Sequence, residues 1–507
     1  MLAHVTTFAL HGVHSRRVTV EVDLHAGLPT FTVVGLGDRA VREARERVRS
    51  AIQNSGFAFP AQRITVNLAP AHMRKEGPGF DLAIACGILA AAGEIPARRL
   101  DGMAVFGELA LGGELRPCRG TLAVAEGAAA ERTRGLVVAV RHAEEAALVE
   151  SLPVHGARDL AEVVAILRGE REGVRPAVVA AVAPSSRLGD LADVRGHTAP
   201  LRALEIAAAG GHNLLLAGPP GTGKTMLAQR LASILPPLTR AEAIEVTRIR
   251  SVAGRPAGAA LVADRPFRAP HHTVSPSGLV GGGSTPLPGE VTLAHHGVLF
   301  LDELAEFSRP ALEALRQPLE DGRVAIVRGQ QTAVFPSRFQ LVASTNPCPC
   351  GHGGTPRCRC SEADVARYRR RLSGPLLDRL DLRVDVQRPL PEEFAAPGTC
   401  SSAAVRRRVV AARELQAARL AGTEATCNGA LDAALIRRHV RLTSAARQVL
   451  RRAYDRGVLS PRGHDRVIRV AQTIADLAEA ETVGSGELLE ALALRQDMLG
   501  ADGEAAA

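Results

Sequence analysis

Apolar and polar positions along this chain fall into three successive patterns. Over the first third, short alternating runs are interleaved with helical ones. Val18-Thr19-Val20-Glu21-Val22 and Phe31-Thr32-Val33-Val34 alternate as strands with one buried face do. Positions 38–54, rich in Arg and Glu, predict a charged helix, and Arg63-Ile64-Thr65-Val66-Asn67-Leu68 predicts a further strand. Arg74-Lys75-Glu76-Gly77-Pro78-Gly79-Phe80-Asp81 predicts a turn, and the almost wholly apolar 82–92 a buried helix. Runs 105–111 and 113–117 predict a hairpin, with 135–140 a last strand. These elements make a complete α+β domain over 1–172. Gly173, Pro176, Pro184, Ser185 and Ser186 then mark a linker over 173–187.

In the middle of the chain the apolar runs become continuous, as in parallel strands covered on both faces. Asn213-Leu214-Leu215-Leu216-Ala217, Gly297-Val298-Leu299-Phe300-Leu301 and Phe339-Gln340-Leu341-Val342-Ala343 are three such runs. A helix over 199–210 precedes the first, and Pro236-Pro237 ends the helix that follows it. Residues 322–329, returning through 332–335, predict a hairpin. Together these bound an α/β module over 188–395. From 396 to 507 the helical period dominates. An arginine-rich helix with an apolar stripe covers 405–420, and Ser460-Pro461 opens another that runs to 477. The tail 500–507 is expected to be disordered.

Composition narrows the class. A chain of 507 residues exceeds one core, in keeping with this division. With 46% hydrophobic and 23% charged residues it reads as a soluble globular protein. No run approaches the roughly 18 apolar residues of a membrane span, and 1–22 lacks a signal-peptide core, so the expected location is cytoplasmic. A net charge of +9 and a pI near 9.6 favour an acidic partner, nucleic acid first. Trp is absent and Tyr occurs twice, so DNA contact would run through arginine and phosphate rather than base stacking.

The candidate chemistry centres on Gly218-Pro219-Pro220-Gly221-Thr222-Gly223-Lys224-Thr225, placed between an apolar run and a helix. That context is the one a phosphate-binding loop requires. Glycines let backbone N–H groups turn toward a β-phosphate, and the helix N-terminus adds positive potential. Lys224 is expected on the β- and γ-phosphates of ATP and Thr225 on Mg²⁺. Of 62 Lys and Arg residues only Lys75 and Lys224 are lysine, so a slim point charge stands where one must fit under a phosphate. About 80 residues on, Asp302-Glu303 ends an apolar run. Asp302 is expected to hold Mg²⁺, with Glu303 as the base that deprotonates the attacking water. Cys348, Cys350, Cys358 and Cys360 lie within 13 residues at C-x-C-x₇-C-x-C spacing. They suit either a structural Zn²⁺ or a set of reduced thiols.

Several strings also carry resemblances. Lys75-Glu76-Gly77-Pro78, the buried helix after it and the Gly107-Glu108-Leu109 hairpin resemble the proteolytic domain of Lon-type proteases. That family uses a serine–lysine dyad. Gly79 stands at the serine's place and Gly120-Thr121-Leu122-Ala123 where the lysine belongs, so no peptidase activity is expected and Lys75 reads as a turn charge. The central module resembles AAA+ ATPases of the magnesium-chelatase and MCM-type branch. The resemblance implies Asn346 as first sensor and Arg379, in Gly374-Pro375-Leu376-Leu377-Asp378-Arg379, as the trans-acting arginine finger of a ring. It also implies Arg462 as second sensor, with Arg466 and Arg469 as alternatives. The insert over 265–290, with Arg265, Arg268, His271 and His272, and the hairpin with Arg323 and Arg328 would face the pore.

Taken together with Asn67-Leu68-Ala69-Pro70-Ala71, Pro270-His271-His272-Thr273 and Asn346-Pro347-Cys348-Pro349-Cys350-Gly351, these strings make the chain similar to the ComM/YifB family over nearly its whole length. The implied architecture is α/β: a Lon-like α+β domain, a P-loop AAA+ module with helix-2 insert and pre-sensor hairpin, and a helical magnesium-chelatase C-terminal lid. The implied function is a hexameric, ATP-driven motor on single-stranded or branched DNA. It would promote branch migration as transforming DNA is integrated, alongside recombination proteins. A magnesium-chelatase-like or chaperone-like motor that remodels proteins is the competing reading.

Overall fold

Two long strands, Leu2–His11 and His14–His25, pair antiparallel through a turn at Gly12 and Val13. They form the middle of a seven-stranded sheet in this computed structural model. It describes residues 1–175 and 189–495, apart from 257, 259, 284, 285, 329, 330, 354, 373, 396–399 and 458. Most of the expected linker and all of the expected disordered tail lie outside the described residues. The sheet runs Thr30–Val34, Arg63–Ala69, His14–His25, Leu2–His11, Met103–Phe106, Gly135–Ala139, Val154–Ala157. Alternation works as the sequence predicts, with Val18, Val20, Val22 and Leu24 all buried on one face. Helix Arg39–Asn54 starts at Asp38, whose carboxylate accepts the Val41 N–H at 2.9 Å. Helix Asp81–Ala91 is buried along its full length.

Two expectations change here. Val105 and Phe106 belong to the large sheet, and only Glu108–Leu109 and Leu115–Arg116 pair as the hairpin. The reason is burial: Ala104, Val105 and Phe106 are covered on both sides, which a two-stranded ribbon cannot offer. Lys75 is not a solvated turn charge. It is fully buried, and its amine donates to the Pro70 carbonyl.

The second sheet is parallel throughout, in the order Phe267–Arg268, Val298–Leu301, Gln340–Thr345, Leu214–Ala217, Leu382–Asp385. Its middle strands are buried at every position, which explains their unbroken apolar sequence. Of the C-terminal helices Ser402–Arg419, Ala433–His439, Ser444–Asp455, Pro461–Leu477 and Ser485–Ala493, the first packs on helices Thr198–Gly210 and Lys224–Ile234 and the fourth on Thr198–Gly210. Leu227 and Leu231, on the helix after the phosphate loop, share one core with Val405, Val409 and Ile474. Gln416 donates to the Ala209 carbonyl at 3.0 Å within the same joint.

Among the described residues, segments around the two sheets touch at several points. Val13 is buried in the apolar cluster of the second sheet, and Gly12 lies so close to the hairpin Arg323–Arg328/Gln331–Pro336 that a methyl on it would meet Val334 O at 2.6 Å. Helix Thr121–Ala130 packs on helix Arg240–Val252, where the Gly120 N–H donates to Ser251 O at 3.1 Å and Arg248 pairs with Glu126 at 3.2 Å. Among the described residues no helix is long and apolar enough to cross a membrane.

Candidate functional site

Parallel strands release their polar residues at one end of the sheet, and in the order above three neighbouring strands do so together. Leu214–Ala217 runs into the phosphate loop, Val298–Leu301 into Asp302 and Glu303, and Gln340–Thr345 into Asn346. Register enforces the meeting, since Leu216 lies opposite Ser344 and Phe300 opposite Val342.

The loop needs glycine where it bends hardest. A side chain at Gly218 would strike Val386 O at 2.3 Å, and Gly223 has a φ of +87°. Lys224, the first residue of helix Lys224–Ile234, is 8% exposed. Its amine donates to Gly218 O at 2.7 Å, Pro219 O at 2.8 Å and Asn346 Oδ1 at 3.1 Å. Burial lowers the Lys224 pKa, and Asp302 and Glu303 oppose that shift. Thr225 donates its hydroxyl to Asp302 Oδ2 at 2.8 Å. Lysine, threonine, paired carboxylates and an amide thus come together beside one glycine-rich loop, a donor set that fits a polyphosphate with a divalent cation.

Ser344 is a member of the site that sequence reading missed. Its hydroxyl donates to Asp302 Oδ1 and accepts the Glu303 N–H at 3.1 Å. Glu303 itself sits in the left-handed region at φ +54°, a conformation worth roughly 1–3 kcal/mol of strain, which these bonds hold. The available signal was a serine two residues before Asn346, directly after the apolar Leu341-Val342-Ala343.

The arginines divide. Arg379 is 9% exposed and its guanidinium is engaged with Glu320 of the same chain. Arg466 pairs with Asp381 at 3.4 Å, and Arg469 donates to Gly429 O at 3.3 Å. Arg462 stands exposed in the first turn of helix Pro461–Leu477, which Ser460 caps by accepting the Gly463 N–H at 3.1 Å. In the insert, Arg265 pairs with Glu242 and Arg268 with Glu290, so neither offers a free charge. His271 and His272 lie ring against ring at 4.0 Å. Arg323 is exposed on the hairpin, and the side chain of Arg328 lies outside the described residues.

Two clusters have metal-ligand composition. In the first, Glu245 Oε2 lies 2.9 Å from the Nε2 atoms of both His295 and His296. His295 Nδ1 accepts the Arg338 N–H at 2.9 Å, which places the ring proton on Nε2 and leaves no lone pair there for a metal. Those imidazole hydrogen bonds hold the Glu245 carboxyl down at about 2. The second cluster is Cys348, Cys350, Cys358 and Cys360, whose sulfurs all lie within 4.8 Å of one another.

Comparison with known proteins matches the chain's sequence to one family. The model for "Subunit ChlI of Mg-chelatase" matches residues 20–142, "Magnesium chelatase, subunit ChlI" matches 190–394, and "Magnesium chelatase, subunit ChlI C-terminal" matches 399–495. A protein of Mycobacterium tuberculosis strain H37Rv is 44% identical over 497 residues, 98% of this chain and 99% of its own length. YifB of Escherichia coli K12 and the competence protein ComM of Haemophilus influenzae are each 44% identical, covering 97% of both chains. The chain belongs to the YifB/ComM family of magnesium-chelatase-like AAA+ proteins.

Proposed function

We propose that this protein is an ATP-driven ring motor on DNA with branch-migration helicase activity, aiding integration of transforming DNA by homologous recombination in the cytoplasm. The observation that carries the ATPase part is the convergence of Lys224, Thr225, Asp302, Glu303 and Asn346 at the ends of three adjacent parallel strands. Lys224 neutralises the β- and γ-phosphates, and Thr225 with Asp302 holds Mg²⁺, which when bound screens the phosphate charge. Glu303 takes the proton of the attacking water, and Asn346 orients that water. Arg379 exchanges Glu320 for the nucleotide of a neighbouring subunit in a hexamer, and Arg462 brings the lid to the γ-phosphate. The DNA part is supported by the likeness to a competence protein and by the net charge of +9.

The test is ATP hydrolysis by the full chain, alone and with single-stranded, duplex and four-way-junction DNA at two salt concentrations, with Glu303→Gln as blank. Stimulation by DNA that weakens with salt and vanishes in the blank supports the motor on DNA. A branch-migration assay on the same preparation then reads the helicase step. Robust hydrolysis indifferent to every DNA overturns it. The matches to magnesium-chelatase models support the second reading, a motor that remodels partner proteins, which that outcome would favour.

A further inference from the structure

We propose that Cys348, Cys350, Cys358 and Cys360 hold one structural zinc ion, and that the knuckle it closes positions both Asn346 and the phosphate loop for turnover. The positioning half rests on the ATPase reading above; the metal half does not.

The sulfur geometry comes first. Cys348 and Cys350 are 3.4 Å apart, and each lies 3.7 Å from Cys358. A disulfide would need about 2.05 Å. Zinc thiolate bonds of about 2.3 Å in a tetrahedron put sulfurs roughly 3.8 Å apart, so the thiols already stand close to the corners of such a site. A C-x-C pair alone bites poorly, and the fold supplies what the spacing lacks by folding the second pair back over the first.

The second observation is where the knuckle sits. It begins two residues after Asn346 and ends just before helix Glu362–Arg371. Between them the described chain has no helix or strand and is tied by short turns, such as Gly351 N–H to Cys348 O at 3.0 Å and Cys358 N–H to Thr355 O at 3.0 Å. The two ends are packed together, because buried Tyr368 of that helix shares one apolar cluster with Ala343 of the strand that leads to Asn346. The third observation is a contact. Gly351, at φ +80°, lies against the phosphate loop so closely that a methyl on it would fall 2.7 Å from Pro220 Cδ. The segment therefore touches the loop on one side and is covalently continuous with Asn346 on the other. A cross-link among the four cysteines would constrain this segment and so help Asn346, which accepts from Lys224, keep its place relative to that loop.

The experiment uses the full-length protein in four forms: wild type, Cys350→Ser/Cys360→Ser, Gly351→Ala, and wild type stripped by a zinc-selective chelator in excess Mg²⁺. Metal content should be one zinc per wild-type chain, and growth in cobalt should give the thiolate charge-transfer bands of a tetrahedral site. The double variant should lose the metal. Gly351→Ala should keep it while pressing on Pro220. Both should lower kcat by about ten- to a hundredfold with a smaller change in KM, as a displacement of about 1 Å does. Stripping should do the same, and added zinc should restore the rate, which separates loss of the ion from unfolding. Hydrogen exchange at 218–225 should rise when zinc leaves, a readout independent of any activity. Wild type without zinc or cobalt overturns the site. Zinc-free protein with unchanged kcat and unchanged exchange at 218–225 overturns the positioning role. Wild type that binds zinc and shows the exchange response but hydrolyses no ATP supports the positioning of the loop and overturns the ATPase reading instead.

Discussion

The chain's two lysines sit in loops that look alike and do opposite work. Lys75 lies beside Gly77-Pro78-Gly79 and Lys224 beside Gly218-Pro219-Pro220-Gly221. Both are buried, and burial lowers both pKa values. Lys75 meets the carbonyl of Pro70, five residues back in its own segment, and no carboxylate beside it opposes the downward shift. Lys224 meets two carbonyls and the amide of Asn346, brought from another strand, under the field of Asp302 and Glu303. Even the neighbouring glycines differ. At Gly79 the ring of Phe106 fills the space, so that a methyl would meet Cε2 at 2.5 Å, whereas Gly221 opens on nothing within 4 Å. A buried lysine in a Gly-Pro loop is thus a weak sign of chemistry. Convergence of polar groups from separate strands, with room beside them, is a strong one.

The sharpest way to break this comparison is to remove each amine. Lys224→Ala should lower ATP turnover by about 10²–10³-fold, as loss of one preorganised charge does, with melting little changed; steady-state hydrolysis and circular dichroism check both halves. Lys75→Met should do the reverse. It leaves Pro70 O without its charged donor and should cost about 1.5–3 kcal/mol of stability, read in urea unfolding, while turnover of the folded protein stays at wild type. A large loss of turnover in Lys75→Met would return chemistry to the first sheet.

A third effect separates the regions by pH. Asp81 is buried beside Arg47, with Nε to Oδ2 at 2.7 Å, and burial still pushes its carboxyl up to about 6. A folded-state value above the unfolded one means the neutral acid is favoured on folding. Its contribution is therefore present below about pH 4 and lost as pH rises through about 6, on the order of 3 kcal/mol at most. Asp81→Asn should flatten the stability profile of the N-terminal region between pH 4 and 6, measured by unfolding at several pH values. An unchanged profile would show that Arg47 keeps the carboxylate charged throughout.

Much of the fold was legible in the sequence because its cause is local. Alternation gave Val18, Val20 and Val22 their buried face, and Ser460 marked a helix start by the hydrogen bond its side chain accepts. Continuous apolar runs foretold the parallel strands. The hairpin over 105–117 was misjudged because a strand buried by distant partners has no local mark that distinguishes it from a ribbon. Nor did any local mark show that Arg265 and Arg268, expected to face a pore, would pair within the chain, since Glu242 and Glu290 lie 22 or 23 residues away.

The sequence by itself determined which residues carry charge, hydroxyl and thiol, and which loop must be glycine. Those follow from side-chain chemistry and from allowed backbone angles, both properties of a residue and its neighbours. Only the tertiary structure decided which of them meet. Ser344 reaches Asp302 because two strands pair in one register, Gly351 rests on Pro220 because a loop folds back, and Lys75 is buried where its amine meets the Pro70 carbonyl. Such encounters are set by packing between segments far apart in the chain, and no local pattern of residues encodes them.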